Sequence, residues 1–154
     1  MTVKLSTGLR NALLGTASFS DIFDHGVIEV RTGPQPVNAD AAATGTLLGT
    51  ITVDAGAFTP GTATNGLTWE AASGGAIAKA AAENWKMEGV AVGTAGWFRL
   101  KGNGVDGGGS STSLPRIDGS IGTSGADLNI SNIAVTVGAP ITIDVFSFAL
   151  PASA

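Results

Sequence analysis

Short segments in which apolar and polar residues alternate run along this chain, separated by glycine, proline and asparagine. HGVIEVRTG predicts a strand beginning at Val27, because Val27, Ile28 and Val30 stand ahead of the breaker GPQP. TLLGTITVD and GLTWEA predict a second and a third strand, and WFRLK, PRIDGSIG, ADLNISNIAVTVG and PITIDVFSFAL predict later ones. Turn residues recur about every ten positions in the C-terminal part, a spacing typical of a β-sandwich or barrel.

The last of these segments, ITIDVFSFAL, has the strongest apolar character. It places five large apolar side chains within eight positions, which predicts a central strand with one strongly apolar face. The five are Ile141, Ile143, Val145, Phe146 and Phe148.

Residues 3–14, VKLSTGLRNALL, follow a different period. Val3, Leu5, Leu9 and Leu13 recur at roughly helical spacing. Ser6 or Thr7 can serve as the N-cap, and Gly15 can end the helix. The pattern predicts a short amphipathic N-terminal helix.

The segment GGAIAKAAAENWKMEG is open to two interpretations. Its alanine, lysine, glutamate and methionine residues favour a helix over residues 76–88, with Ile77, Ala81 and Trp85 at i, i+4 and i+8. A strand reached through a loop is the alternative. Intrinsic propensity favours the helix, and tertiary contacts can override it.

These elements predict a mainly β protein. A chain of 154 residues is long enough for one domain and too short for two ordinary ones. We expect a single antiparallel β-sandwich or jelly-roll-like domain over residues 16–154, preceded by a helix or arm over residues 1–15. If residues 76–88 form the helix rather than the strand, the domain contains one further short helix.

Composition narrows the function classes. Charged residues make up 13% of the chain against about 25% in a typical protein, and the net charge is -4. Scattered basic residues and an acidic balance argue against nucleic acid as a partner. No apolar run is long enough for a membrane span, and MTVKLSTGLRNALLG lacks the apolar core of a secretory signal. Cysteine is absent, which excludes disulfides and thiolate sites.

The glycine-rich segment GNGVDGGG, residues 102–109, matches two ligand-binding sequence motifs. The dinucleotide pattern G-x-G-x-x-G needs a helix that begins inside it, but GGSSTS followed by Leu114 and Pro115 does not begin one. The calcium-repeat core G-x-G-x-D needs stacked copies, and one imperfect copy stands here. We therefore predict a flexible hairpin tip or an assembly loop.

Two groups of side chains raise catalytic or metal-binding hypotheses. His25, the only histidine, follows Asp21 and Asp24, but a single histidine beside a glycine is typical of a turn. Glu83 and Glu88 could form the carboxylate pair of a glycosidase or a solvated face. Without a G-x-S-x-G motif or a second nitrogen ligand, we predict no catalytic, cofactor or metal site and no small-molecule ligand.

Trp69, Trp85 and Trp97 are the remaining candidates for recognition. Large aromatic side chains in a small β domain fill the core or an interface, and they can also line a sugar-binding platform. The core or interface is the favoured interpretation, and a carbohydrate-binding module stays open.

Four phrases resemble small virion structural proteins of tailed bacteriophages. They are MTVKLSTGLRNALLG, GVIEVRTGPQPVNADAAATGTLLGTITV, GVAVGTAGWFRLKG and RIDGSIGTSGADLNISNIAVTVGAPITIDVFSF, and together they span most of the chain. The recurring motifs are T-G-x-x-P, T-A-x-W-F-R, G-T-x-G-A-D-L and T-I-x-x-F. The second and third fall on Thr94, Ala95, Trp97, Phe98 and Arg99, and on Gly122, Thr123, Gly125, Ala126, Asp127 and Leu128.

The resemblance implies a decoration or cement protein, a minor capsid component that binds the outside of the head shell. The implied partners are the major capsid protein and copies of this chain, as a trimer or dimer, on the virion head after synthesis in the host cytoplasm. A tail or fibre component is the alternative. The expected contact residues are Val3, Leu5, Leu9, Arg10, Leu13, Trp69, Trp85, Trp97 and Arg99.

Overall fold

Strands dominate residues 3–152, the part of the chain that the computed structural model describes. Two short helices, α1 (Thr7–Gly15) and α2 (Phe19–Phe23), lie near the N-terminus. The strands are β1 (Lys4–Leu5), β2 (Val27–Thr32), β3 (Leu47–Val53), β4 (Ala76–Ala78), β5 (Trp85–Glu88), β6 (Gly93–Lys101), β7 (Arg116–Gly122), β8 (Leu128–Asn129), β9 (Ala134–Val135), β10 (Pro140–Ile143) and β11 (Ser147–Ala149).

The strands form two sheets. The larger has nine strands in the order β1-β7-β6-β2-β3-β5-β10, with β8 added beside β7 and β9 beside β6. The smaller pairs β11 with β4. The pairings are antiparallel except that of β7 with β8. The mainly β, antiparallel architecture predicted from the alternating segments is therefore confirmed.

One face of the large sheet carries the core. Its register places Ile28 opposite Ile51 and Leu100, and Val30 opposite Phe98, so that apolar side chains line up across three strands. All of these side chains are buried. The two helices and the small sheet cover this inner face, with Leu9 and Phe23 in the same core.

An aromatic cluster joins the helices, the small sheet and the large sheet. The Phe19 ring stacks on Phe148 of β11 at 4.9 Å, and Trp69 meets Trp85 of β5 edge-on at 5.1 Å. Offset and edge-to-face contacts of this kind add to the free energy of area burial. The members are Phe19, Phe23, Trp69, Trp85, Phe98, Phe146 and Phe148.

Of the two interpretations of residues 76–88, the helix is wrong and the strand is confirmed. The segment contains β4 and β5 instead, joined by a turn. Trp85 and Met87 are buried between the more exposed Lys86 and Glu88, which is the period of a strand. Pairing of β5 with both β3 and β10 overrides the helix propensity of the alanines.

Two strand predictions also change. ITIDVFSFAL is not one central strand, because β10 lies at the edge of the large sheet and β11 belongs to the small one. Between them Asp144 and Val145 are exposed, and Phe146 turns into the core. GLTWEA forms only isolated bridges, at Leu67 and Trp69.

The N-terminal helix is confirmed with Ser6, one of the two predicted N-cap residues, at its start, whereas Val3 and Leu5 of the predicted period precede the helix. Lys4 and Leu5 form β1 against β7, and Ser6 then caps α1 by accepting a hydrogen bond from the Leu9 amide at 3.1 Å. The same hydroxyl donates to the Leu114 carbonyl at 2.8 Å and accepts from the Arg116 amide at 2.9 Å. Ser6 thus ties the helix start to the strand beside it.

Candidate interaction surfaces

The five N-terminal residues expected to contact a partner differ in their exposure to solvent. Val3, Leu5 and Leu13 are partly buried against the core, and Leu9 is 0% exposed. Only Arg10 among the five is exposed, and its guanidinium donates to Thr7 Oγ1 at 2.9 Å. Residues 3–15 therefore lie on their own β domain, and Leu9 does not reach another molecule.

The tryptophan candidates are corrected by their burial. Trp85 and Trp97 are fully buried, and Trp69 is partly buried with its indole N–H donating to the Phe23 carbonyl at 3.1 Å. Buried ring faces cannot stack on a sugar or touch another subunit. The core interpretation accounts for Trp69 and Trp85, whereas Trp97 lies on the opposite, outer face of the sheet beneath Arg99.

The outer face of the large sheet carries a row of opposite charges. Lys4, Asp118, Arg99 and Glu29 occupy successive positions across β1, β7, β6 and β2, and Thr50 of β3 follows. Arg99 Nε and Nη2 donate to the two oxygens of Asp118 at 2.7 Å each. This bidentate pair is fully buried, which removes Arg99 from the expected surface contacts.

Further ion pairs extend this row. Lys101 Nζ lies 2.6 Å from Glu29 Oε1, and Arg31 lies 3.0 Å from the other oxygen of the same carboxylate. Arg116 of β7 donates to both oxygens of Asp106, at 2.6 and 2.7 Å. Together these side chains form the charged layer, which consists of Lys4, Glu29, Arg31, Arg99, Lys101, Asp106, Arg116 and Asp118.

Two covering loops, residues 33–46 and 102–115, close over this charged layer. Carbonyl oxygens of both loops accept hydrogen bonds from basic side chains of the charged layer. The Pro36 carbonyl accepts from Lys4 at 2.5 Å, the Ala41 carbonyl from Arg99 at 3.0 Å and the Gly109 carbonyl from Arg116 at 2.8 Å. The loops also bond to each other, with the Ala43 amide donating to the Gly108 carbonyl at 2.8 Å.

The glycine segment is therefore anchored at its centre rather than free to move as a hairpin tip. The Asp106 carboxylate holds Arg116, the Asp106 carbonyl accepts from Lys101 at 2.6 Å, and the Gly108 amide donates back to the carboxylate at 2.9 Å. Gly108 has φ of +81°, a conformation open to glycine. The alternation of charged and apolar residues in WFRLK and PRID is the sequence signal that could have predicted a charged strand face here.

Local contacts move the pKa values of three carboxyls in the charged layer and the first covering loop. Burial raises the pKa of Asp118 above its ordinary value, against the hydrogen bonds and charge of Arg99. Burial acts in the same direction on Asp106, but the hydrogen bonds of Arg116 and Gly108, with the charges of Arg116 and Lys101, prevail and lower its pKa. Hydrogen bonds from the Thr7 side chain and amide lower the pKa of Asp40.

An open groove of about 470 Å³ continues the outer face beyond the charged layer. Glu29, Thr50, Thr52 and Glu88 line it from the sheet, and Phe58 lines it from the loop after β3. Glu88 is exposed, with Lys86 at 4.0 Å, whereas Glu29 is neutralised by Lys101 and Arg31. This mixture of hydroxyl, carboxylate and apolar groups does not indicate one class of ligand.

A smaller groove of about 220 Å³ lies where the helices meet the small sheet. Apart from two serines its lining is apolar, and it contains no charged side chain. Leu14, the residue after the lining residue Leu13, is 87% exposed, and the lining residue Leu150 is also exposed. The main lining residues of this apolar groove are Leu13, Phe19, Ala76, Ile77, Phe148 and Leu150.

A third surface, the valine ribbon, consists of residues 90–94 and 134–138. Gly93 and Thr94 pair with Val135 and Ala134, which extends β6 beyond the rest of the sheet. The flanking amides of Gly89 and Gly138 donate to Ala139 and Gly89 at 3.0 and 2.8 Å. Val90, Val92 and Val137 are exposed on it, and residues 89–98 and 128–143 contain no charged side chain.

The histidine and glutamate candidates are not brought into a catalytic arrangement. His25 lies in a turn with φ of +56° and its Nε2 is 3.5 Å from Asp24. Glu83 accepts from the Thr68 hydroxyl at 2.7 Å and from Trp85 Nε1 at 2.8 Å, whereas Glu88 faces the outer groove. Within residues 3–152 no three histidine or acidic side chains group as metal ligands would. No helix in that range is long and apolar enough to cross a membrane.

Comparison of the chain with protein-family models, with curated proteins and with solved structures finds no match. The chain's own residues and contacts must therefore carry any assignment of function.

Proposed function

We propose that this protein is a non-enzymatic virion structural protein of a tailed bacteriophage, and specifically a decoration or cement protein that binds the outer surface of the head shell. The observation that carries the proposal is the resemblance of four phrases, spanning most of the chain, to small virion structural proteins. The proposed partners are the major capsid protein and further copies of this chain.

The distribution of charge supports a role in surface contacts. Basic side chains are scarce, and Arg31, Arg99, Lys101 and Arg116 are committed to ion pairs with carboxylates on the outer face of the sheet. The valine ribbon, in contrast, is uncharged and exposes three valines. Exposed apolar patches of this kind are typical of protein interfaces, so we propose the valine ribbon as the contact with the shell.

Stabilisation of the head shell by a bound decoration protein is a case of thermodynamic linkage. A subunit that binds the assembled shell better than the free capsomer stabilises the shell by mass action. Many copies on one particle multiply a modest free energy of binding per copy. The valine ribbon can supply that modest contact without buried charges that would need partners across the interface.

For the fold, we propose a β-sandwich with jelly-roll-like character. The two sheets would form its layers, with Phe148 of β11 reaching the aromatic cluster and Phe146 meeting Phe98 of β6 edge-on at 5.6 Å. Two sheets that pack through aromatic side chains meet the general description of a sandwich.

Cryo-electron microscopy of particles that carry the protein tests its location. Density over capsomer junctions is the expected result, with the valine ribbon facing the shell. Density confined to the tail or its fibres would contradict the decoration role and favour the tail component.

A binding assay then tests the surface. Val92→Lys with Val137→Lys places two charges in the valine ribbon and should raise the Kd for purified undecorated heads roughly tenfold or more, because each charge would be desolvated in the contact. The matched control is Val37→Lys with Val105→Lys, at two valines elsewhere that are at least as exposed. Equal binding by both double variants would exclude the valine ribbon.

A further inference from the structure

We propose that two copies of this chain associate through the apolar groove, with Leu14 of each copy inserted into the groove of the other. The inference deepens the proposed function, which includes copies of the chain as partners, and it assigns them a surface. It concerns the surface formed by the end of α1, the start of α2 and the small sheet.

A projecting leucine stands beside the concave apolar groove on this surface. Leu14 is 87% exposed near the end of α1, directly after Leu13, which lines the groove. Ser18 and Phe19, four and five residues later, line it as well. A projection and a hole that lie side by side become mutually complementary when a two-fold axis relates two copies, because each copy then supplies both parts.

The lining of the groove has no charge that would oppose this contact. The groove lining contains no charged side chain, so that insertion of Leu14 against Leu150 and the other lining residues buries apolar area without desolvating an ion. The chain carries a net charge of -4, which disfavours random approach of two copies. Self-association through an uncharged surface therefore carries the smallest penalty from charge repulsion and desolvation.

The two helices beside the groove differ in charge. In α1 the only charged residue is Arg10, which is exposed one turn before Leu14. In α2 the charged residue is Asp21, and Asp24 follows as the C-cap, and both are exposed. A two-fold axis that brings α1 of one copy to the groove of the other also brings a basic helix beside an acidic one.

This charge pattern points to a second copy as the occupant. A partner with an acidic segment would meet Asp21 and Asp24, and a partner with a basic segment would meet Arg10. A second copy of the chain offers both signs, one on each of the two helices beside the groove.

Analytical ultracentrifugation of the purified full chain over a concentration series gives the first test. A monomer–dimer equilibrium is expected, and Leu14→Lys should raise the dimer dissociation constant about 30-fold or more, because Leu14 is the central buried group. Val37→Lys is the matched control, since Val37 is 86% exposed and does not line the groove. It should leave the equilibrium unchanged.

A charge exchange supplies the second test. Arg10→Glu and Asp24→Lys should each weaken the dimer alone, whereas an equal mixture of the two variants should recover it, because both cross-contacts then pair opposite charges. Asp24 is the better choice of the two acidic residues, since the Asp21 carboxylate completes the cap of α2.

Three results would overturn the inference: a chain that stays monomeric at every concentration, a dimer that tolerates Leu14→Lys, or a mixture no tighter than its components. Thermal melting of each variant confirms that the monomer is folded. The assay contains no phage heads, so the failure of dimerisation and the failure of head binding are separate results.

Discussion

At the scale of single residues, the Arg99–Asp118 pair is the most informative feature. Both side chains are fully buried between the sheet and the covering loops, and two hydrogen bonds of 2.7 Å join them. A buried pair contributes little net stability relative to apolar residues, because desolvation offsets the Coulomb attraction. Loss of one member, however, leaves an uncompensated charge.

A double-mutant cycle tests this asymmetry. Arg99→Met alone should lower the free energy of unfolding by about 3–5 kcal/mol, because it leaves Asp118 without its partner. Arg99→Met with Asp118→Leu should cost much less than the sum of the single changes. It also removes Arg99 Nη1, which is buried without a hydrogen-bond partner among the described residues. Urea unfolding of the four proteins gives the coupling free energy.

Strictly additive losses would contradict the account of the pair. They would mean that Arg99 and Asp118 act independently, the first through its bond to the Ala41 carbonyl and the second through the field of Lys4 and Arg116.

At the scale of elements, the N-terminal segment behaves as part of the β domain. β1 pairs with β7, the Ser6 hydroxyl makes three hydrogen bonds, and Leu9 is buried. A Cβ on Gly8 would overlap the backbone carbonyl of Ser113, which shows how closely α1 approaches the second covering loop. Deletion of residues 1–15 is therefore expected to destabilise the domain, and it is a poor test of partner binding.

Leu9→Ala tests the contribution of α1. The substitution should lower the free energy of unfolding by about 2–5 kcal/mol, because it opens a cavity in the core. Leu14→Ala, on the same helix but exposed, should change it by less than about 0.5 kcal/mol. Chemical denaturation of both variants provides the measurement, and equal effects would mean that α1 is not anchored through Leu9.

At the scale of the whole molecule, ion pairs connect the covering loops to the sheet, so that global stability should depend on pH. The folded protein holds the pKa of Asp106 below its ordinary value of 3.8. The unfolded chain then takes up the proton first as the pH falls. The contribution of Asp106 is therefore complete above about pH 3.8 and is lost as the pH falls through the lower folded value.

Asp106→Asn tests this dependence. The variant should be less stable than the parent near neutral pH, because Arg116 and Lys101 lose a charged partner, and the difference should shrink below about pH 3.8. Asp144→Asn, at an exposed carboxylate outside the charged layer, is the matched control. Thermal melting between pH 2 and 7 gives both profiles, and a constant difference across that range would contradict the predicted role of Asp106.

Elements whose signals are local can be predicted from the sequence alone. Val27 begins a strand because a β-branched run precedes GPQP, and Ser6 caps a helix because its hydroxyl reaches the Leu9 amide three residues on. The mainly β class and the antiparallel pairing follow from the same alternation.

The strand pairings, ion pairs and core contacts between residues far apart in the sequence depend on the tertiary structure. Residues 76–88 carry helix propensity, yet Trp85 and Met87 gain more by pairing with β3 and β10. The pairs Arg99–Asp118 and Arg116–Asp106 span 19 and 10 residues. Trp69 and Trp85 became core because Phe19 and Phe146, from opposite ends of the chain, meet them there. Such partners are selected by sheet register, which local sequence patterns do not encode, and the same holds for the groove beside Leu14.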